Sequence, residues 1–164
     1  MASSNAYSRI ALIHGPNLNL LGKREISIYG TKTLEQINLE LKNRCQENMT
    51  QLDILQTNHE GEIIDFLQNN YVKLDGLIIN PAGLGHTSIA LRDTLLAVEL
   101  PFIEVHLTNI HAREDFRRQT LLQDLAMAVI SGCGAKGYHF AFEAMFSHLH
   151  LHNVNQKTSL STEI

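Results

Sequence analysis

Gly76–Asn80 reads GLIIN and is stopped at once by Pro81. A short apolar run without polar alternation, closed by proline, fits a strand buried on both faces, as in a parallel sheet. Similar runs recur on either side of it. Towards the N-terminus lie LDILQT (Leu52–Thr57) and RIALIH (Arg9–His14); towards the C-terminus lie PFIEVHL (Pro101–Leu107) and AMAVIS (Ala126–Ser131). Between these runs the apolar spacing changes to that of helices. Thr33 and Gln36 form a capping box, and Leu34, Ile37, Leu41 and Cys45 then keep helical spacing to near Asn48. Ile63, Ile64, Leu67 and Tyr71 mark one face of a second helix. Ile89, Leu91, Leu95 and Leu96 mark a third, and Tyr138, Ala141, Phe142, Met145 and Leu149 the last.

Strands and helices therefore alternate at βαβ spacing. This predicts an α/β fold: a doubly wound, five-stranded parallel sheet in flavodoxin-like order, with helices on both faces. The chain has 164 residues, the size of one domain, so residues 1–150 are expected to form it. Residues 151–164 are polar and are expected to be a mobile tail. A hydrophobic content of 44% with 18% charged residues excludes disorder for the bulk of the chain. A net charge of -4 argues against a nucleic-acid partner. No apolar run reaches the ~18 residues of a membrane span, and Met1–Ser8 lacks the apolar core of a secretory signal. Cys45 and Cys133 match no metal or redox spacing, which points to a reducing cytoplasm. Asn48-Met49-Thr50 fits a glycosylation pattern only by chance in that setting.

In doubly wound folds ligands bind beyond the carboxyl ends of the strands. After the first strand come His14-Gly15-Pro16-Asn17, then Gly22-Lys23-Arg24-Glu25 and Tyr29-Gly30. The segment Gly15–Lys32 is far longer than an ordinary βα connection of ~2–6 residues, as functional lids are. After the third strand come Asn80-Pro81-Ala82-Gly83 and His86-Thr87-Ser88. The fourth ends in Glu104-Val105-His106, followed by Asn109, His111, Arg113, Arg117 and Arg118. All three groups land on one sheet edge. Arginines and asparagines there suit an anionic, oxygen-rich small molecule, and the helix opened by Ala82–His86 has free N–H groups that favour a carboxylate. Glu104 and His106 are two apart on a strand and share a face, so a carboxylate can orient the imidazole. Tyr29 could act as a base if Arg24 or Arg113 stabilised its phenolate. Base, acid and anion clamp together suit an elimination or proton transfer on a carboxylate substrate. Taken singly, each residue also has a plain reading as a surface charge, a turn former, an ion-pair member or a packing aromatic.

The stretches HGPNLNLLGKREISIYG (His14–Gly30), NPAGLGHTSIALRD (Asn80–Asp93) and IEVHLTNIHAREDFRR (Ile103–Arg118) resemble, in order, the signature blocks of type II 3-dehydroquinate dehydratase. The resemblance covers roughly residues 9 to 149. It implies a flavodoxin-like hydro-lyase that converts 3-dehydroquinate to 3-dehydroshikimate by anti elimination through an enolate, in the shikimate pathway. It further implies no cofactor, no metal and a homododecamer built as a tetramer of trimers. By this resemblance Tyr29 is the base, Arg24 the lid arginine, and Asn17 the holder of an ordered water on the enolate oxygen. His106 is the general acid, with Glu104 its orienting partner. Asn80, His86, Asp93 and Arg117 bind substrate, Leu107 and Thr108 hold its carboxylate, and Arg113 supports ionisation of the tyrosine. Two positions depart from the family pattern. Ile26 stands where proline usually follows the Arg-Glu pair, and Gly85 where threonine often precedes His-Thr-Ser.

The competing class is a non-catalytic flavodoxin-like module. A phospho-receiver wants acidic residues after its first strand and a flavin carrier a hydroxyl- and glycine-rich loop, whereas this chain has His14-Gly15-Pro16. His148, His150 and His152 alternate without a further ligand at metal spacing. Gly132, Gly134 and Gly137 match only the first part of a dinucleotide fingerprint and read as tight-turn glycines.

Overall fold

The computed structural model describes residues 7–23 and 31–159, with side chains described as far as residue 151. Five strands, β1 (Ser8–His14), β2 (Thr50–Gln56), β3 (Gly76–Asn80), β4 (Phe102–His106) and β5 (Ala128–Ser131), form one sheet. Every pairing is parallel and the order is β2-β1-β3-β4-β5, the flavodoxin-like arrangement expected. Four longer helices connect or flank them: α1 (Leu34–Glu47), α2 (Glu60–Asn70), α3 (Ile89–Val98) and α4 (Lys136–Ser159).

Side-chain alternation along the strands divides the core in two. Ile10, Leu12, Ile78, Ile103 and Val105 face α1 and α4, where they meet Ile37, Leu41, Cys45, Phe142 and Met145. Ala11, Ile13, Leu77, Ile79 and Phe102 face α2 and α3, against Ile63, Leu67, Leu91 and Leu95. Each fully buried Leu or Ile contributes roughly 1.5–3 kcal/mol. β3 and β4 are buried at every position, which is why their sequences carry no alternation.

The capping box is present in full: the Thr33 hydroxyl accepts from Gln36 N–H and the Gln36 side chain accepts from Thr33 N–H. Two expectations need correction. Tyr71 lies in a 3-10 turn after α2 and is exposed rather than part of the buried stripe. On α3, Leu91 and Leu95 are buried, but Ile89 and Leu96 point outward, 65% and 50% exposed. The last helix continues past His152 to Ser159. Gly132 and Gly134 have left-handed φ of +85° and +56°, as turn glycines require.

Candidate active site

β1 and β3 are the strands at which the sheet changes direction of winding, and the crevice between their carboxyl ends is where this fold binds ligands. Their last residues, His14 and Asn80, are neighbours in register. Gly15 N–H donates to the Asn80 carbonyl at 2.8 Å, and a Cβ on Gly15 would stand 2.4 Å from the Pro81 carbonyl oxygen. Only glycine permits that approach, which closes the floor of the crevice. Beyond it both chains turn through left-handed residues that are not glycine: Asn17 at φ 67° and Ala82 at φ 51°. Such conformations cost on the order of 1 kcal/mol and concentrate at functional sites.

The crevice opens into a cleft of about 370 Å³. Of the residues singled out in the sequence, Asn17, Asn80, His86, His106, Leu107, Thr108, Arg113 and Arg117 line it. Glu104 stands directly behind, fully buried on β4. Asp93 does not reach the cleft; it lies on the exposed side of α3. Arg24 and Tyr29 lie outside the described residues, as does Ile26.

His106 Nε2–H donates to Glu104 Oε1 at 2.7 Å, both side chains being buried. The carboxylate thus sets the tautomer, and no described residue bonds Nδ1, which is left to the cleft that the ring lines. The His86 ring stacks against it at 5.9 Å and is itself fixed by Nδ1–H donating to the Gln119 carbonyl at 2.8 Å. Also lining the cleft, Arg113 and Arg117 approach the Glu114 carboxylate at 3.4 and 3.3 Å. Two guanidinium groups thus stand in the lining of the cleft. Among the described residues the buried Arg117 Nε has no well-aligned hydrogen-bond acceptor, which suits an anionic guest. Arg113 also donates to the Thr108 hydroxyl at 3.4 Å.

The helix start expected to hold a carboxylate is built differently. Leu84–Thr87 is a single helical turn, and α3 begins after Ser88, whose own hydroxyl accepts from Leu91 N–H at 2.8 Å. Gly85 fits its crowded place: a Cβ there would lie 2.7 Å from Pro81 Cγ and 3.4 Å from Glu104 Oε1.

Two supporting residues were missed by sequence reading. Thr120 Oγ1–H donates to Glu104 Oε2 at 2.9 Å, and Asn58 Oδ1 accepts from Asn17 N–H at 2.9 Å. Both come from segments with no chemical motif, so nothing local marked them.

Residues 8–146 match the family model described as Dehydroquinase class II. The chain belongs to the class II dehydroquinase family. Among relatives of the family, a 3-dehydroquinate dehydratase from Halothermothrix orenii is 56% identical over 138 residues, covering 84% of this chain and 93% of that protein. One from Vibrio cholerae is 53% identical over 139 residues, covering 85% and 93%. The crystal structure of type II dehydroquinase from Butyrivibrio crossotus superposes with a TM-score of 0.82 at 38% identity, covering 85% of this chain and 97% of that one.

Proposed function

We propose that this chain is a 3-dehydroquinate dehydratase, a hydro-lyase of the shikimate pathway acting in biosynthesis in the cytoplasm. The observation that carries the reading is the buried Glu104–His106 pair at a cleft that Arg113 and Arg117 also line. Family membership and the names of the relatives support it.

In this reading the substrate carboxylate lies at Leu107 and Thr108, where β4 ends, and Asn80, His86 and Arg117 hold its hydroxyls. The Tyr29 phenolate removes the C2 proton, and the electron pair moves onto the C3 ketone oxygen as an enolate. Asn17 steadies a water on that oxygen. The enolate then reforms the ketone as the C1–O bond breaks, and the hydroxyl leaves as water with a proton from His106. Glu104 stabilises the imidazolium before transfer. Arg24 and Arg113 keep Tyr29 ionised.

The protein with 3-dehydroquinate should gain absorbance from the conjugated enone product, and EDTA should not abolish the gain. Folded protein that gives no gain overturns the reading. His106→Ala should lower kcat by about 10²–10⁴, the usual contribution of a positioned acid, with thermal unfolding little changed. Tyr29→Phe should also abolish most turnover; near-normal rates would remove that residue from the base role.

The assembly proposed is a homododecamer of four trimers. The outer side of α3 exposes Ile89, Ala90, Leu96 and Ala97 beside Asp93, an apolar stripe of the kind that association covers. Asp93 would then serve the cleft of a neighbouring copy rather than its own. Light scattering on the purified protein, expected at twelve times the monomer mass, tests this; a monomer in solution refutes it.

A further inference from the structure

Asn80 is not free to choose which end of its carboxamide it shows the cleft. Its Oδ1 lies 3.2 Å from the backbone nitrogen of Ala82, and its Nδ2 lies 3.0 Å from the Tyr138 hydroxyl. Tyr138 is fully buried at the start of α4 and 2.9 Å from His14 Nδ1. His14, also fully buried, closes β1 and has its Nε2 2.8 Å from Asn38 Oδ1 on α1.

The direction of every bond in this chain follows from one fixed point. A backbone N–H can only donate, so the atom facing Ala82 must be the Asn80 oxygen. Nδ2 is then the end that faces Tyr138, and because it too can only donate, the phenol oxygen accepts. The phenol proton must go elsewhere, and His14 Nδ1 is within reach. Burial pushes the His14 pKa down to about 4, so the imidazole carries one proton near neutrality. That proton sits on Nε2, where Asn38 Oδ1 accepts it. Each group has a partner of the right kind, and reversing any one bond sets donor against donor or acceptor against acceptor. One Nδ2 hydrogen of Asn80 is used by Tyr138, and the second remains for the cleft that Asn80 lines.

We propose that His14 and Tyr138 are positioning residues: with Asn38 they hold the Asn80 carboxamide so that it presents its second Nδ2–H donor to the bound ligand. The site therefore selects an acceptor oxygen, a hydroxyl lone pair or a ketone, at that point of the substrate. This rests on the dehydratase reading of the cleft.

The test is a double-mutant cycle on the full chain, with kcat and KM for 3-dehydroquinate and thermal unfolding measured throughout. Tyr138→Phe removes the acceptor that holds Nδ2 and leaves the carboxamide held only through Oδ1 by Ala82 N–H, so its plane is less well fixed. It should lower kcat/KM by about tenfold, mainly through KM, since a substrate contact common to ground and transition states is weakened. In an Asn80→Ala background the same change should cost less than about twofold. A purely structural Tyr138 would lower the unfolding temperature but reduce kcat/KM equally in both backgrounds, and that result overturns the proposal. Should Tyr138→Phe fail to fold, His14→Phe, which puts an aromatic ring without nitrogens in place of the imidazole, should give the same dependence on Asn80. Absence of turnover in the unmodified protein would instead overturn the dehydratase reading, and this proposal with it.

Discussion

Both oxygens of the Glu104 carboxylate are occupied: Oε1 by the His106 imidazole and Oε2 by the Thr120 hydroxyl. A carboxylate taken wholly out of water needs such partners, because an unpaired buried charge costs several kcal/mol. The two bonds also fix the plane of the group, and through it the plane of the imidazole. Thr120→Val keeps the shape and removes the donor. It should destabilise the protein by roughly 1–3 kcal/mol in urea unfolding, the cost of leaving a buried acceptor unpaired. Kinetics should show kcat about tenfold lower, equivalent to ~1.4 kcal/mol of transition-state stabilisation. A variant that loses stability at unchanged kcat would leave Thr120 a packing residue only. At this scale the sequence was informative about His106 and Glu104, because a two-residue spacing on a strand determines a shared face. It was silent about Thr120, which lies 16 residues further on.

The elements follow local rules closely. α1 starts where a reciprocal cap satisfies two backbone N–H groups, and its buried residues are the four whose spacing marked them. Thr33→Ala should cost about 1 kcal/mol, with a lowered unfolding temperature, while leaving the cleft intact. No loss of stability would mean that packing of Ile37 and Leu41 alone defines the helix start. α3 shows where periodicity stops being informative. Ile89, Leu91, Leu95 and Leu96 are all apolar, yet the sheet buries Leu91 and Leu95 and leaves the other two outside. A helix that is apolar around much of its surface has no unique inward face in one dimension. The covering sheet decides, and the remainder is left for another surface. β1, β3 and β4 were legible as strands because burial on both faces leaves an apolar run short enough to exclude a helix.

For the whole molecule, acid should act through His14. In an unfolded chain imidazole titrates near 6.5, whereas burial holds His14 down to about 4, the Asn38 hydrogen bond opposing only in part. Between these values the unfolded chain binds a proton that the folded protein does not. Stability is therefore retained above about pH 6.5 and lost as pH falls towards 4. The loss amounts to on the order of 3 kcal/mol. Urea unfolding from pH ~7 to ~4 should give a flatter stability profile for His14→Asn than for the unmodified protein; parallel profiles would show that His14 titrates normally in the folded state. The chain by itself determined the element types, the two-sided burial of the central strands, and the sheet edge at which histidines, arginines and asparagines collect. These are properties of neighbours in sequence, read through periods of 2 and 3.6. Only the tertiary structure decided which polar groups meet. It set His14 against Tyr138, 124 residues away, and placed Thr120 behind Glu104, while turning Asp93 away from the cleft. Contacts between distant segments arise from how layers pack, and packing leaves no periodic mark on the residues it brings together.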